Sequence, residues 1–346
     1  MKKLFSSPER RQYIQTRQKS ELRRKQVLQA RIRERKSDLP RRPHPKWWKQ
    51  RKRNLRLNPR VLRSPSNLSL LNNPEEVIGF VKSKHDALVR HGNIFADYEE
   101  IEKLTPETLA FILSMVGDVS RACVHRGAYP KHLDLRRMFL DSGLADYLIP
   151  EQPLYVPPPS GNIIRQKNYT ADGEKAYNFI RFAESKIGIV PAKRRHTYNT
   201  LIELMTNTRH HADPSKSKPW WLSVYHQEKT GCVSFTFIDT GVGIFESVGP
   251  TMEFYKKALS ALGSYDNISF MKQLLKGDLR SSTKQPHRGK GIPSINQYAE
   301  EGVMQNLTII TNDVYAAVSR QEYRLLDEKF PGTFWYWELT PQRSIR

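Results

Sequence analysis

Charge is distributed very unevenly along this chain, and this limits which part of it can form a folded core. Residues 1–66 contain 23 Lys and Arg against 4 Asp and Glu, a net charge of +19, whereas the other 280 residues carry only +3. Such a block is typical of an interaction arm rather than of a globular domain. We therefore interpret residues 1–66 as a basic arm, partly helical or disordered, and expect the folded domains in the remainder.

The arm combines cations with aromatic rings. Residues 20–35 favour a helix, and Pro40, Pro43 and Pro45 then interrupt this pattern. Cations of this kind neutralise phosphates, and indoles stack on bases. The residues expected to contact nucleic acid are Arg41, Arg42, Lys46, Trp47, Trp48, Lys49, Arg51, Lys52 and Arg53. Two alternatives remain open: the arm docks on an acidic protein partner, or it is a solvated tail without a specific role.

The remaining composition excludes several classes of protein. The chain has no apolar run of the roughly 20 residues that a membrane-spanning helix needs, and its charged N-terminus is unlike a secretory signal. Cys123 and Cys232 are far apart, which fits a reducing compartment and gives no reason to expect a zinc site. We expect a cytoplasmic protein without a membrane partner.

Residues 70–155 form the second predicted region, a small α/β interaction domain. Amphipathic helices are expected at 74–90 and after Thr105-Pro106-Glu107, with a short strand at 93–98 between them. The stretch NIFADYEEIEKLTPETLAFIL loosely resembles STAS domains. A proline-rich segment, residues 153–161, is expected to be the linker to a third region at 165–346.

A predicted helix at 196–212 carries polar residues in register. Glu203, Asn207 and His211 follow one another at intervals of four, so they share one edge of the helix, opposite a buried stripe that contains Leu201 and Met205. An amide oxygen can ligate magnesium, a carboxylate one turn away can accept a proton from water, and an imidazole can meet a phosphate. By itself this pattern is more typical of a plain helix surface than of a site.

Three glycine-containing segments follow. A predicted strand at 232–238 ends in Asp239-Thr-Gly241-Val-Gly243, where the carboxylate can accept a hydrogen bond from an adenine amino group. The segment His287-Arg288-Gly289-Lys290-Gly291 precedes a predicted helix at 293–301, an arrangement suited to phosphate. Finally, Gly332-Thr333 opens a predicted strand and supplies a hydroxyl that we expect near the phosphates.

Taken in this order, the four segments resemble the nucleotide-binding boxes of the GHKL superfamily, which includes gyrase, chaperone, histidine-kinase and mismatch-repair ATPases. The resemblance covers about half of the chain. It implies an α+β fold of the Bergerat type, a mixed sheet with helices on one face, which here follows the small α/β domain and the basic arm. It also implies ATP and Mg²⁺ as cofactors and a mobile lid over the nucleotide, at residues 245–287.

The resemblance further assigns roles to individual residues. Glu203 is implied as the general base, Asn207 as the magnesium ligand and His211 as a phosphate contact. Asp239 is implied to read adenine, with Gly241 and Gly243 shaping the base pocket. Phosphates are implied to lie on Arg288, Gly289, Lys290 and Gly291, and Thr333 closes the site.

Three functions fit these features. The first is a slow ATPase that acts as a nucleotide-driven switch, with the arm on nucleic acid and with pairing of protomers. The second is a protein kinase of the anti-sigma or histidine-kinase type, although no recognisable phosphoacceptor helix precedes the third region. The third is an ATP sensor that recruits a partner without hydrolysis.

Overall fold

The computed structural model describes residues 45–117, 119–150, 159–210, 219–247, 266–278 and 291–341, with only the backbone described at 45–48 and 209–210. The chain divides into two units, which meet between Arg53 and Asn54. The predicted helix at 20–35 and most of the predicted linker, residues 151–158, lie outside the described residues.

Helix α1 (Pro45–Asn54) is the first described element, and all of its residues except Asn54 belong to the first unit. The sequence predicts that Pro45 interrupts a helical pattern, whereas in the structure a helix begins at this residue. Proline is well tolerated in the first helical turn, because its missing N–H has no intrahelical partner there. Arg51, Lys52 and Arg53 occupy the last turn, where cations interact favourably with the helix dipole.

The second unit begins with a parallel sheet. Its strands are β1 (Arg60–Arg63), β3 (Asn93–Asp97), β5 (Val124–Ala128) and β6 (Ile149–Pro150), which lie side by side in chain order. A separate pair joins β2 (Asn67–Leu68) to β4 (Lys103–Leu104), again in parallel. Parallel neighbours need a crossover connection, and helices supply it here.

The crossover helices are α2 (Pro74–His91), α3 (Pro106–Val116) and α4 (Leu133–Asp141), followed by a 3₁₀ turn at Leu144–Tyr147. Helix α2 shows why the sequence predicts it well. Pro74 lies in its first turn with two glutamates, cations occupy its last turn, and Gly92 ends it in the left-handed conformation. The predicted bounds, 74–90, therefore differ from the observed ones by one residue.

The rest of the second unit is built on a five-stranded antiparallel sheet. Its strands are β7 (Ile163–Asn168), β8 (Trp220–Gln227), β9 (Cys232–Asp239), β10 (Gln305–Ala317) and β11 (Glu322–Leu339). They lie side by side in the order β10-β11-β9-β8-β7. A 3₁₀ turn at Val318–Arg320 joins the last two. Every pairing in this sheet is antiparallel, which differs from the mixed sheet that the sequence analysis expects.

Four helices lie on one face of the antiparallel sheet: α5 (Gly173–Ile187), α6 (Pro191–His210), α7 (Asn267–Lys276) and α8 (Gly291–Glu300). Apolar residues from these helices form one hydrophobic cluster with alternate residues of the strands, among them Phe235, Phe237, Trp335 and Trp337. We call this side the α5–α8 face. The helices predicted at 196–212 and 293–301 correspond to α6 and α8, and α7 lies within the predicted lid, residues 245–287.

The opposite face of the antiparallel sheet is also covered. Residues of α2, α3 and α4 share a second hydrophobic cluster with Ile238, Ile310, Phe334 and Tyr336. The ring of Phe111 on α3 lies 4.6 Å from that of Phe330, and the Tyr315 hydroxyl donates to the Leu71 carbonyl at 2.8 Å. The expected arrangement has helices on one face only, whereas in this unit the sheet has helices on both.

The described chain is therefore an α+β protein with one parallel and one antiparallel main sheet and eight helices, which confirms the predicted class. None of the helices in the described ranges combines the length and apolar character needed to cross a membrane.

Candidate functional site

Three polar side chains lie in a row across the α5–α8 face. Asp239 on β9 pairs with Thr333 on β11, and Thr333 pairs with Thr311 on β10. Paired residues of antiparallel strands point to the same face. This face is otherwise lined by aromatic and aliphatic residues, so the row places a carboxylate and two hydroxyls at the edge of an apolar core.

The alternation along each strand accounts for this placement. Phe235 and Phe237 belong to the hydrophobic cluster on the α5–α8 face, and Asp239 follows at the next position that points to this face. Trp335 and Trp337 belong to the same cluster, so Thr333, two residues before Trp335 on β11, points to the same face. Asp239 is half-buried, whereas Thr333 and Thr311 are buried.

The turn after β9 is folded back on Asp239. Its carboxylate Oδ1 accepts a hydrogen bond from the Gly241 N–H at 2.9 Å. Gly243 has φ +85°, a conformation that L side chains rarely adopt. Thr240 is buried, and its hydroxyl has no hydrogen-bond partner among the described residues.

Gly332 explains how Thr333 reaches Asp239. Its φ is +115°, and a side chain at this position would overlap the backbone carbonyl of Asp239. The close approach of the two strands therefore needs glycine directly before Thr333. The sequence analysis expects the Thr333 hydroxyl near the phosphates, whereas the structure pairs it with Asp239, the residue expected to read the base.

Helix α6 belongs to the helical layer that covers this face of the sheet. Leu201, Leu204, Met205 and Thr208 are buried, and Leu201 and Met205 were predicted to be. Glu203 and Asn207 are half-buried, one turn apart, on another part of the helix surface. His211, the third residue predicted along this edge, lies outside the described residues.

Helix α8 meets α6 at Glu203. A side chain at Gly291, the first residue of α8, would overlap the carboxyl group of Glu203. The N-terminal end of a helix carries partial positive charge and N–H groups without helical partners, so it favours an anion. Two of the predicted boxes, 88 residues apart in sequence, are thus in contact.

Several predicted site residues lie outside the described residues: Arg288, Gly289 and Lys290, together with most of the predicted lid. Helix α7 is the part of the predicted lid for which the structure describes a helix. Of the predicted nucleic-acid contacts, Arg41 and Arg42 also lie outside, and Lys46, Trp47 and Trp48 are described by their backbone only. Lys49, Lys52 and Arg53 are exposed on α1 and Arg51 is half-buried.

The donor set on α6 suits magnesium better than zinc. Asn207 and Glu203 offer oxygen atoms, and magnesium usually takes one or two protein oxygens together with water and substrate phosphates. Among the described side chains, no group of three His, Cys, Asp or Glu residues is arranged as a metal site. These residues therefore fit a metal ion that binds together with a phosphate ligand.

Two residues that were not predicted from the sequence lie at the polar row and the turn after β9. Thr311 belongs to the polar row, and Asn312 beside it forms hydrogen bonds with the turn after β9. The dipeptide Thr-Asn in the middle of an apolar strand is the only sequence pattern that marks them.

Comparison of the chain with models of known protein families gives no match, and comparison with curated proteins gives none.

Proposed function

We propose that the chain binds ATP with Mg²⁺ between the polar row of the sheet and helices α6 and α8, and that it hydrolyses ATP slowly. The observation that carries the proposal is the convergence of segments that are distant in sequence. Asp239 pairs with Thr333, and Glu203 contacts Gly291. The first pair lies on the sheet face that α6 and α8 cover, and the second contact lies between these two helices.

A Bergerat-type fold is part of this proposal. The antiparallel sheet, the four helices on its α5–α8 face and the order of the four boxes along the chain support it. Two features distinguish this chain: the sheet pairings are all antiparallel in the described strands, and α2 and α3 cover the second face. Neither feature occupies the face that carries Asp239.

Recognition of the base is assigned to Asp239. In this proposal its second carboxylate oxygen accepts a hydrogen bond from the adenine amino group, while Oδ1 is held by the Gly241 N–H. Gly241 and Gly243 let the base approach the backbone. Guanine carries a carbonyl oxygen where adenine carries the amino group, so it would place an acceptor against the carboxylate.

The phosphates and the metal are assigned to the helices. Asn207 would ligate Mg²⁺ through its amide oxygen, and the N-terminal end of α8 at Gly291 would hold a phosphate oxygen. Arg288, Gly289, Lys290 and His211 are proposed to complete the phosphate contacts. The bound metal would supply charge neutralisation for the phosphate chain.

Glu203 is proposed as the general base. Its carboxylate would accept a proton from a water molecule as the water oxygen attacks the γ-phosphorus. The bond from phosphorus to the bridging β–γ oxygen then breaks, and ADP and inorganic phosphate leave. The contact with Gly291 holds this carboxylate at the end of α8 where a phosphate is proposed to bind.

The basic arm extends the proposal to a partner. We propose that Arg41, Arg42, Lys46, Trp47, Trp48 and the cations of α1 contact nucleic acid, and that nucleotide turnover switches the chain between states that differ in lid position and in pairing of protomers. Three of the α1 cations are exposed, which leaves them accessible to phosphates.

Phosphate release by the wild type, Glu203→Gln and Glu174→Gln tests the proposal when ATP binding is measured in parallel. Glu174 is an exposed glutamate on α5 and serves as the matched control. We expect all three proteins to bind ATP, and we expect only Glu203→Gln to lose phosphate release.

Other outcomes discriminate between the functions. Binding without release by the wild type favours an ATP sensor, and transfer of the γ-phosphate to protein favours a kinase. Absence of ATP binding by the wild type contradicts the proposal as a whole.

A further inference from the structure

Strand β10 is irregular where it passes the turn after β9. Asn312 has φ +50°, and the pairing of β10 with β11 shifts register on both sides of this residue. A non-glycine residue with positive φ is uncommon, and asparagine is among those that tolerate it best. Asn312 is also buried, so its amide group needs partners within the protein.

The carboxamide of Asn312 finds these partners at both ends of the turn. Its Nδ2–H donates to the carbonyl of Val242 at 2.9 Å, and its Oδ1 accepts from the N–H of Phe245 at 3.2 Å. One side chain therefore bonds the residue before Gly243 and the second residue after it. This fixes the path of the chain through the Asp-Thr-Gly-Val-Gly segment.

Thr311 adds a third bond to the same turn. Its hydroxyl accepts from the N–H of Ile244 at 2.9 Å and lies 3.2 Å from the carbonyl of Gly332. The hydroxyl is buried and belongs to the polar row with Asp239. It thus joins the turn to the glycine that places Thr333.

Gly243 is the residue that permits this packing. A side chain at position 243 would overlap the carboxamide of Asn312. The second glycine of the segment is therefore required by its φ and by the approach of Asn312. This requirement exists whether or not a ligand is present.

We infer that Asn312 and Thr311 are positioning residues for the base-binding turn, and that Asn312 sets how well the site discriminates adenine from guanine. The inference rests on the proposed function, since it assigns these residues to the adenine end of that site. They act through the turn: a fixed turn holds the Gly241 N–H on Asp239 and leaves the carboxylate in one orientation.

The chemistry requires asparagine in particular. A carboxamide has one donor group and one acceptor group, so it can bond a carbonyl and an N–H at once. Aspartate has nearly the same shape and offers only acceptors when ionised, so one of its oxygens would face the Val242 carbonyl without a hydrogen. Glycine keeps the backbone conformation and removes both bonds.

The test measures dissociation constants for Mg-ATP and Mg-GTP with the full chain and its Asn312→Gly and Asn312→Asp variants. Asn306→Gly is the matched control, because Asn306 has φ 54° at another register shift of the same strand and bonds Glu338. We expect the Asn312 variants to bind ATP about 10- to 100-fold more weakly, the loss expected for two hydrogen bonds. We also expect their preference for ATP over GTP to fall toward unity.

The ratio of the two constants separates positioning from loss of folded protein. Partial unfolding would weaken ATP and GTP binding by the same factor and would leave the ratio unchanged. Weaker binding of both nucleotides with an unchanged ratio would therefore overturn the inference. Equal ATP binding by wild type and the Asn312 variants overturns it too, while the proposed function stands. If the wild type binds neither nucleotide, the proposed function fails and the inference fails with it.

Discussion

The carboxyl group of Glu203 lies directly against Gly291, the first residue of helix α8. This contact joins the residue proposed to activate water to the helix end proposed to hold a phosphate. It leaves no room for a side chain at position 291. The contact therefore predicts the effect of a substitution at Gly291.

Gly291→Ala is expected to displace Glu203 and to lower phosphate release by about 10- to 100-fold, because small errors in the position of a catalytic group are costly. Alanine favours a helix more than glycine does, so the helix itself should not suffer. Steady-state phosphate release and thermal unfolding of the same preparations provide the measurement.

Gly79→Ala is the matched control for this substitution. Gly79 lies inside helix α2, and an added methyl group there would meet no atom within 4 Å. We expect this variant to gain about 0.5–1 kcal/mol in the free energy of unfolding and to keep its activity. Full activity of Gly291→Ala would contradict the assigned contact.

The carboxyl group of Glu107 is expected to make the free energy of unfolding depend on pH. It is buried on α3, and its Oε1 has no hydrogen-bond partner among the described residues. Burial raises the pKa of Glu107 to about 7, and the charge of Glu338 acts in the same direction. A raised pKa means that the folded state binds the proton more tightly. The resulting stability is therefore complete below pH 4.5 and is lost as the pH rises to about 7.

Glu107→Gln should abolish this loss. Relative to wild type, the variant is expected to gain about 3 kcal/mol in the free energy of unfolding between pH 4.5 and pH 8, measured by denaturant titration. The lowered pKa values of buried Lys84 and His125 give the opposite slope, and they cancel because both proteins contain them. Exposed Glu102→Gln is the control. Parallel stability curves for wild type and Glu107→Gln would rule out this role for Glu107.

The arm makes a prediction about salt dependence. Replacing Lys49, Lys52 and Arg53 of the full chain with glutamine should weaken nucleic-acid binding and reduce the slope of log K against log salt by about 2–3, roughly 0.9 for each lost phosphate contact. ATP affinity should not change. Fluorescence anisotropy with labelled DNA and RNA at several salt concentrations measures both effects.

A control with three other exposed lysines, Lys103, Lys229 and Lys276, replaced by glutamine keeps the net charge equal to that of the arm variant. If both triple variants lose the same slope, nucleic acid responds to net charge and the arm has no special role.

Local sequence patterns predicted individual elements well. Helix α2 has a proline start, charges that match its dipole and a glycine end, so its bounds follow from the sequence. Strand β9 alternates apolar residues up to Asp239, which predicts both the strand and the exit of the carboxylate at its end. These features depend only on residues that are close together in sequence, within one helix or one strand.

The missed features depend on register and on contacts between distant segments. The pairing of Thr333 with Asp239 follows from the alignment of β11 with β9, which no local pattern specifies. The role of Asn312 needs a register shift, and burial of Glu107 needs α3 to pack against the antiparallel sheet. The start of α1 at Pro45 was missed because a proline can either end one helix or begin the next.

Magnesium-dependent ATP binding by the wild type and Asp239→Asn, with Thr236→Val as control, tests whether the chain binds ATP and whether Asp239 recognises the adenine. Thr236 is buried on the same strand, on the opposite face. We predict that the wild type and Thr236→Val bind ATP in preference to GTP, and that Asp239→Asn binds ATP at least about tenfold more weakly and loses the preference. Absence of ATP binding by the wild type, or equal binding and preference in Asp239→Asn, would contradict the account.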